Sequence, residues 1–409
     1  MPRVHQVLPS LGFGDAIGNE VLGIQRALVS AGYESEIYVE AADSRLEHLT
    51  RDYRDLPNDV RPEDVIIHHF SIGSRASRTA YAVPSRMMFV YHNITPPQYF
   101  LGEHGWLVRQ CYHGRRELGA YRSRVDLALG DSAYNRTELD ALGFAPTGVL
   151  PPLADLTHLD VAPDPRVYDA WDDDHVNILF VGRITPNKRP DHLIRHVHTY
   201  RRMFGRPVRL LLAGSHTHFE KYRDELKAFA ARLGAVDIEM LGQVTNEELT
   251  ALYDIADVFL CASEHEGFCV PLLEAFHKRV PVIAFAATAV PATMDGGGVL
   301  YDRDDSVAVA GLIEAVVSDE RLEDRILAAQ DAALARFVAK DFAGTLLAYV
   351  RQVLAAPVRA AVPVTADFWR QVELAAELDE IREARPSAFH ALPAEPADAR
   401  LVAHVGYRP

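Results

Sequence analysis

The sequence predicts a two-domain α/β fold in which each domain is a parallel sheet covered by helices, and three observations carry that prediction. The chain has 409 residues, more than one hydrophobic core organises. Short apolar runs alternate with amphipathic stretches along most of it, the pattern of repeated βα units. A Pro- and Asp-rich stretch, Gly148–Asp174, has no sustained period and splits the alternation in two. These features place an N-terminal α/β domain at 1–153, a linker at 154–175, a second α/β domain at 176–355, and a further helix with a C-terminal tail at 356–409.

In the first half "RVHQVLP", "SEIYVEA", "DVIIHHF", "RMMFVYHN" and "DLALGDS" read as strands, with helices at 18–31, 106–122 and 134–142 between them. The second half offers six strands: "VNILFVGRI", "VRLLLAGS", "VDIEMLGQV", "DVFLCAS", "VPVIAFA" and "GVLYD". Helices at 220–233 and 246–255 separate them, and residues 306–355 keep a helical period. A last helix is expected at 367–384, before a Pro/Ala tail.

Apolar residues make up 48% of the chain and charged residues 24%, globular values that allow a sizeable core. A formal net charge of −15 argues against nucleic acid as the main partner, because phosphate binding needs a basic footprint. One local exception is the arginine-rich segment 109–124, which reads either as a solvated helix face or as a contact for an anionic acceptor or membrane surface. Three cysteines without C-x-x-C spacing suit reduced thiols in a cytoplasmic protein. No stretch resembles a secretory signal or a membrane span, which leaves peripheral attachment at the inner face of a membrane open.

The richest stretch is "SEHEGFCVPLLEAF", with Glu266 in a loop and Glu274 inside the helix that Pro271 opens. Helical side chains lean toward the N-terminus, so Glu274 is expected to face the opening that Glu266 flanks. The helix N-terminus and the amides of Gly267, Phe268 and Cys269 suit a phosphate. Two carboxylates beside a phosphate make sense as acceptors for neutral donors such as sugar hydroxyls, so a phosphorylated sugar meets both requirements. The plainer alternative makes Glu266 a helix cap and Glu274 an exposed partner of Lys278.

Three more segments point the same way. In "FVGRITPNKRP" a strand delivers Arg183 and Lys188, two cations able to offset a diphosphate without a metal ion. In "LPSLGFGDAIGNE" the turn with Gly12, Gly14 and Asp15 lets a ligand approach the backbone. His92 of "FVYHNITPP" lies at a strand's C-terminal end, where open α/β sheets bind ligands. His68 and His69 are neighbours on a strand and point opposite ways, so they cannot chelate one ion together. The D-x-D patterns at Asp302–Asp304 and Asp172–Asp174 read as solvated loops, and no metal site is expected. Gly12, Gly14 and Gly18, one residue longer in spacing than a dinucleotide fingerprint, with Glu40 ending the second strand, also admit a nicotinamide-dependent oxidoreductase.

Taken together, "FVGRITPNKRPDHLI", "LLLAGS", "GQVTNEELTALYDIADVFLCASEHEGFCVPLLEAF" and "VPVIAF" resemble the retaining glycosyltransferases of family 4, with their E-x7-E motif and GT-B fold. That resemblance implies two Rossmann-like domains facing across a cleft, a C-terminal helix crossing back to the first domain, and no metal or other cofactor. It implies that Arg183 and Lys188 neutralise the donor diphosphate, Glu274 holds the ribose, and Glu266 a donor-sugar hydroxyl. Gly214 and Gly267–Cys269 would line the site, Val244 would meet the base, Gly12, Gly14 and Asp15 would approach the phosphates, and His92 would lie near the sugar. Ala262, Cys269 and His216 depart from the family pattern, where proline, glycine and glycine are usual. The implied reaction moves a hexose, with mannose as first guess, from a nucleotide-diphosphate sugar to a glycan, lipid-linked or small-molecule acceptor in polysaccharide, O-antigen or glycoconjugate synthesis. The competing reading is a non-catalytic nucleotide-sugar-binding subunit on the same fold.

Overall fold

The computed structural model describes residues 2–153 and 155–358, together with positions 383 and 386. The described chain forms two compact units, the first made of residues up to 153 with those from 341 onward, the second of the residues between.

In the first unit seven parallel strands form one sheet: β1 (Val4–Leu11), β2 (Ile37–Ala42), β3 (Thr50–Asp52), β4 (Val65–Phe70), β5 (Arg86–Tyr91), β6 (Leu127–Gly130) and β7 (Thr147–Val149). Their order is β3-β2-β1-β4-β5-β6-β7. Helices on both faces bury the strands, and all six residues of β4 are buried, which is why it reads as an unbroken apolar run. One face of the core joins Val4, Ile67 and Val90 to Ile24 and Leu28 of the helix Ala16–Ser30. The chain order reverses between β1 and β4, so the loops leaving their C-terminal ends turn to opposite sides and open a crevice.

The second unit repeats the plan with β8 (Val176–Val181), β9 (Val208–Ala213), β10 (Ile238–Gly242), β11 (Val258–Cys261), β12 (Val282–Phe285) and β13 (Val299–Tyr301). The order β10-β9-β8-β11-β12-β13 puts its reversal between β8 and β11. Two apolar layers cover the two faces of this sheet, one including Ile178, Leu210 and Leu260, the other Leu179, Leu211 and Phe259, as strand alternation requires.

Two boundaries differ from the sequence reading. The helix Phe342–Leu354, assigned above to the second domain, packs Leu346, Val350 and Val353 into the core of the first unit, because its apolar stripe meets β4, β5 and the helix Ala16–Ser30. Residues 155–175, read as a linker, are folded onto the second unit. The helix Pro165–Trp171 and the turn Thr157–Leu159 pack on the helix Asn246–Asp254, with Leu159 and Val167 in the core. The helix expected at 367–384 and the tail after it lie outside the described residues.

Candidate active site

The second sheet's reversal point gathers the cationic and acidic residues that the sequence singles out. Gly182 follows β8 and Gly214 follows β9, and a side chain at Gly214 would place its Cβ 1.9 Å from the Gly182 carbonyl oxygen. With φ at +149° as well, only glycine lets the two strand ends run this close. The chain then passes Arg183 and the turn Pro186–Lys188 before the helix Pro190–Phe204. Arg183 is exposed, its guanidinium 5.8 Å from the centre of the Phe219 ring.

Across the reversal, the loop after β11 is tied to this turn. The Asn187 side chain donates to the His265 carbonyl at 3.1 Å, and the Glu264 N–H donates to the Asn187 carbonyl at 2.9 Å. Glu266, 7% exposed, receives the Lys188 ammonium at 2.5 Å, while its own N–H donates to Thr288 Oγ1 at 2.9 Å. Burial pulls the Lys188 ammonium toward deprotonation, but the Glu266 carboxylate outweighs it and holds the pKa above the ordinary lysine value.

Next comes the helix Val270–His277, whose N-cap is Cys269 in the left-handed conformation at φ 78°. A non-glycine residue there is strained, and glycine would not be. Cys269 hydrogen-bonds Cys261, and this with burial holds its thiol well above the ordinary range. Phe268 is buried, its carbonyl accepting from Thr293 Oγ1 at 2.6 Å. Val244 lies half-buried in the loop after β10, against the same core layer.

Glu274 is neither an exposed partner of Lys278, which pairs with Asp254 at 2.5 Å, nor bound to the partners of Glu266. It is buried, with Tyr253 donating to one carboxylate oxygen at 2.9 Å and His158 Nε2 at 3.1 Å from the other. The Glu274 hydrogen bond raises the His158 pKa above its ordinary value; burial and then the same carboxylate raise that of Tyr253. Glu266 does not cap the helix, because its side chain is taken by Lys188. Sequence reasoning missed His158, in a presumed linker, and Tyr253, in the last turn of the helix Asn246–Asp254.

The first unit carries the other candidates. Asp15 is the N-cap of the helix Ala16–Ser30, its carboxylate accepting from the Gly18 N–H at 2.5 Å. A Cβ on Gly18 would meet the Gly12 carbonyl oxygen at 2.2 Å, so the tight turn explains the glycines without a dinucleotide. Glu40, the ribose ligand of the oxidoreductase reading, accepts from the Ala76 N–H at 2.7 Å. Gly14 has φ +74°.

His92, 8% exposed, sits among buried polar groups. Its Nε2 lies 3.0 Å from His69 Nδ1, and its Nδ1 lies 3.7 Å from Glu20 and 3.6 Å from Asp131. His69 Nε2 meets Gln6 at 2.9 Å, whereas His68 turns the other way, to the Val7 carbonyl at 3.2 Å. Burial lowers the His92 pKa, yet Glu20 and then Asp131 bring it above the ordinary value; burial pushes Glu20 up to about 7. Glu20 had a signal in the sequence, as an acid four residues before Ile24 and eight before Leu28 on the helix's apolar face.

Three charged segments make contacts that the sequence did not reveal. The arginine-rich segment is not simply a solvated stripe, since Arg124 is buried with Nε and Nη2 donating to the Tyr81 and Val83 carbonyls at 2.9 and 2.7 Å. Asp173 is exposed in its loop, as expected, and pairs with Arg209 at 2.8 Å. Asp304 contacts His192 and Arg195, each at 3.1 Å. Among the described residues no helix is long and apolar enough to cross a membrane.

Residues 166–331 match the family model "Glycosyl transferases group 1". This segment is a glycosyltransferase group 1 domain. The "D-inositol 3-phosphate glycosyltransferase" of Mycobacterium sp. (strain KMS) is 27% identical over 362 residues, covering 75% of this chain and 79% of that protein. Among solved structures, Anabaena Alr3699/HepE in complex with UDP-glucose superposes with a TM-score of 0.68 at 17% identity, covering 85% of this chain and 99% of that one. Sucrose-phosphate synthase from Thermosynechococcus elongatus gives 0.67 at 15% identity over 87% of this chain and 100% of that one. The fold is GT-B, with two parallel sheets of seven and six strands. The matched segment contains the Lys188–Glu266 pair, Tyr253 and Glu274, whereas His158 lies before it.

Proposed function

We propose that the protein is a retaining glycosyltransferase that moves a hexose from a nucleoside diphosphate sugar to a small hydroxylated acceptor. The observation that supports this best is the Lys188–Glu266 pair at the reversal point of the second sheet, beside the N-terminus of the helix Val270–His277. A cation, a carboxylate and a helix N-terminus brought together there match a ligand that is anionic at one end and hydroxylated at the other.

On this reading Lys188 and Arg183 take the diphosphate, with the helix N-terminus adding positive potential. Glu266, relieved of part of its ion pair, accepts from a donor-sugar hydroxyl, and Glu274 accepts from the ribose. Gly214, Val244, Gly267, Phe268 and Cys269 shape the pocket. The acceptor oxygen attacks the anomeric carbon from the face the diphosphate leaves, its proton passing to a leaving-group phosphate oxygen. Retention follows, and no pair of carboxylates has to straddle the sugar as in glycosidases. The rate would come from placing the acceptor and stabilising charge on the departing diphosphate, a task given to cationic side chains rather than to a divalent ion.

The inositol phosphate glycosyltransferase relative and the UDP-glucose complex favour UDP-hexoses and polyol phosphates as first substrates, ahead of mannose-type donors and polymeric or lipid-linked acceptors. The test is a matrix of UDP-glucose, UDP-N-acetylglucosamine and GDP-mannose against inositol phosphates, sugar phosphates and free glycans. The expected result is acceptor-dependent release of nucleoside diphosphate, with an α-linked product by NMR. No release with any pair, together with no thermal shift from UDP or GDP, would overturn the proposal. A nucleoside diphosphate at 100 times its Kd should stabilise the protein by about 2.7 kcal/mol. Thermal shifts without transfer would favour the silent binding subunit.

A further inference from the structure

We infer that His192, His196 and Asp304 form a divalent-metal site, of the kind zinc takes, that pins the helix Pro190–Phe204 to the segment following β13. The inference stands on geometry outside the Lys188–Glu266 site and does not depend on the glycosyl-transfer reading.

His192 and His196 are four residues apart on one helix and so project from one face. Asp304 comes from the connection between β13 and the helix Ser306–Ser318. Asp304 Oδ1 lies 3.1 Å from His192 Nδ1 and 3.6 Å from His196 Nε2, and all three ligating atoms lie within 4.8 Å of one another. In a tetrahedral zinc site with bonds of about 2.1 Å, neighbouring ligand atoms are about 3.4 Å apart. The two spacings to Asp304 straddle that value, so side-chain adjustments would close three bonds, with a water in the fourth position.

The second observation is an orphaned nitrogen. His196 is fully buried, and its Nε2 has no hydrogen-bond partner among the described residues. At 3.6 Å the Asp304 oxygen is too far for a hydrogen bond. The other nitrogen, Nδ1, meets Ser306 Oγ at 2.9 Å. When Nδ1–H donates to that hydroxyl, the Nε2 lone pair is left aimed at the cluster, the outer-shell arrangement that fixes a ligating histidine's tautomer. Desolvation lowers the His196 pKa to about 4 and lowers that of His192, so both rings are neutral ligands at neutral pH.

The neighbours are electrostatically mixed. Asp191 adds a negative charge 3.6 Å from His192 Nε2, while Arg195 holds the second oxygen of Asp304 at 3.1 Å. Arg189 adds another positive charge beside Asp191 at 2.8 Å. The arginines reduce affinity, and the two carboxylates oppose them. A second group with ligand-like spacing, Cys261, Glu266 and Cys269, is the weaker candidate because the Lys188 ammonium already bonds the Glu266 carboxylate. The Pro190–Phe204 helix follows Lys188 and Arg189 directly, so an ion at its first two turns would also restrain that loop.

The test uses the full chain, stripped with a chelator and reloaded with zinc alone. Expected are one zinc per chain retained through gel filtration and a melting temperature raised by several degrees. His192→Gln and Asp304→Asn should each weaken zinc binding at least tenfold, whereas Cys261→Ser with Cys269→Ser should not. Cobalt(II) loading adds a readout free of folding effects: absorption typical of nitrogen and oxygen ligands without thiolate charge transfer. Zinc binding that survives His192→Gln and Asp304→Asn, a thiolate band in the cobalt spectrum, or no retained ion would each overturn the inference.

Discussion

Neutralising the Lys188–Glu266 pair separates its contribution to stability from its contribution to turnover. The two side chains are 21% and 8% exposed and 2.5 Å apart, so the pair is well shielded from water. Lys188→Met leaves a buried carboxylate with its cation gone, and breaking such a pair costs about 3 kcal/mol. For a unit this size that is a fall in melting temperature of about 6–12 °C. Glu266→Gln leaves the lysine on a flexible stem that can reach solvent, so the loss is nearer one charged hydrogen bond, about 1.5 kcal/mol. The double variant has no stranded charge and should return to within about 1 kcal/mol of the wild type. Turnover should follow another rule. If Lys188 stabilises a departing diphosphate, losing it removes about 10²–10³ in kcat, and the double variant stays as inactive as Lys188→Met however stable it is. Urea melts of the four proteins close the stability cycle, and nucleoside diphosphate release under saturating donor reads turnover. A double variant that recovers both stability and turnover would refute the reasoning, because the pair would then be structural only.

Three other outcomes follow from the environments of single residues. Glu20 holds its proton in the folded state up to about pH 7 but releases it near 4.5 when unfolded, so its contribution to stability falls as pH rises through that interval. Glu20→Gln should therefore be up to about 3 kcal/mol more stable than wild type at about pH 8 and nearly equal at about pH 4.5; urea melts giving the same difference at both would refute this. His158 is raised by its bond to Glu274, so its contribution is complete below about pH 6.5 and lost as pH climbs through the folded value; His158→Gln should narrow its stability deficit on going from about pH 5.5 to about pH 9. Gly214→Ala should cost at least about 1–3 kcal/mol from backbone conformation alone, with the 1.9 Å approach to the Gly182 carbonyl added, and a melting temperature unchanged from wild type would contradict the close passage of the two strand ends.

What could be read in advance depended on whether a residue's environment is set along the chain or across it. Central strands such as β4 and β9 are buried on both faces and announce themselves as apolar runs. β3 and β7 are three-residue edge strands, "TRD" and "TGV", with only one buried residue between them, so no periodicity marks them. The helix Phe342–Leu354 shows its apolar face clearly, but a stripe of leucine and valine fits either sheet, and only the fold decides that it covers β4 and β5. The same distinction governs the charged groups. Lys188, Glu266 and Glu274 were legible as candidates because strand ends and a proline-opened helix place them locally. That Lys188 bonds Glu266, while Glu274 goes to Tyr253 and to a histidine 116 residues away, depends on strand order. Asp304 is the sharpest case, since beside aspartates in sequence it reads as a solvated loop acid. Only the docking of β13 next to β12, which brings its following loop over the Pro190–Phe204 helix, turns it into the third member of a histidine pair that sequence spacing alone would have ranked as core.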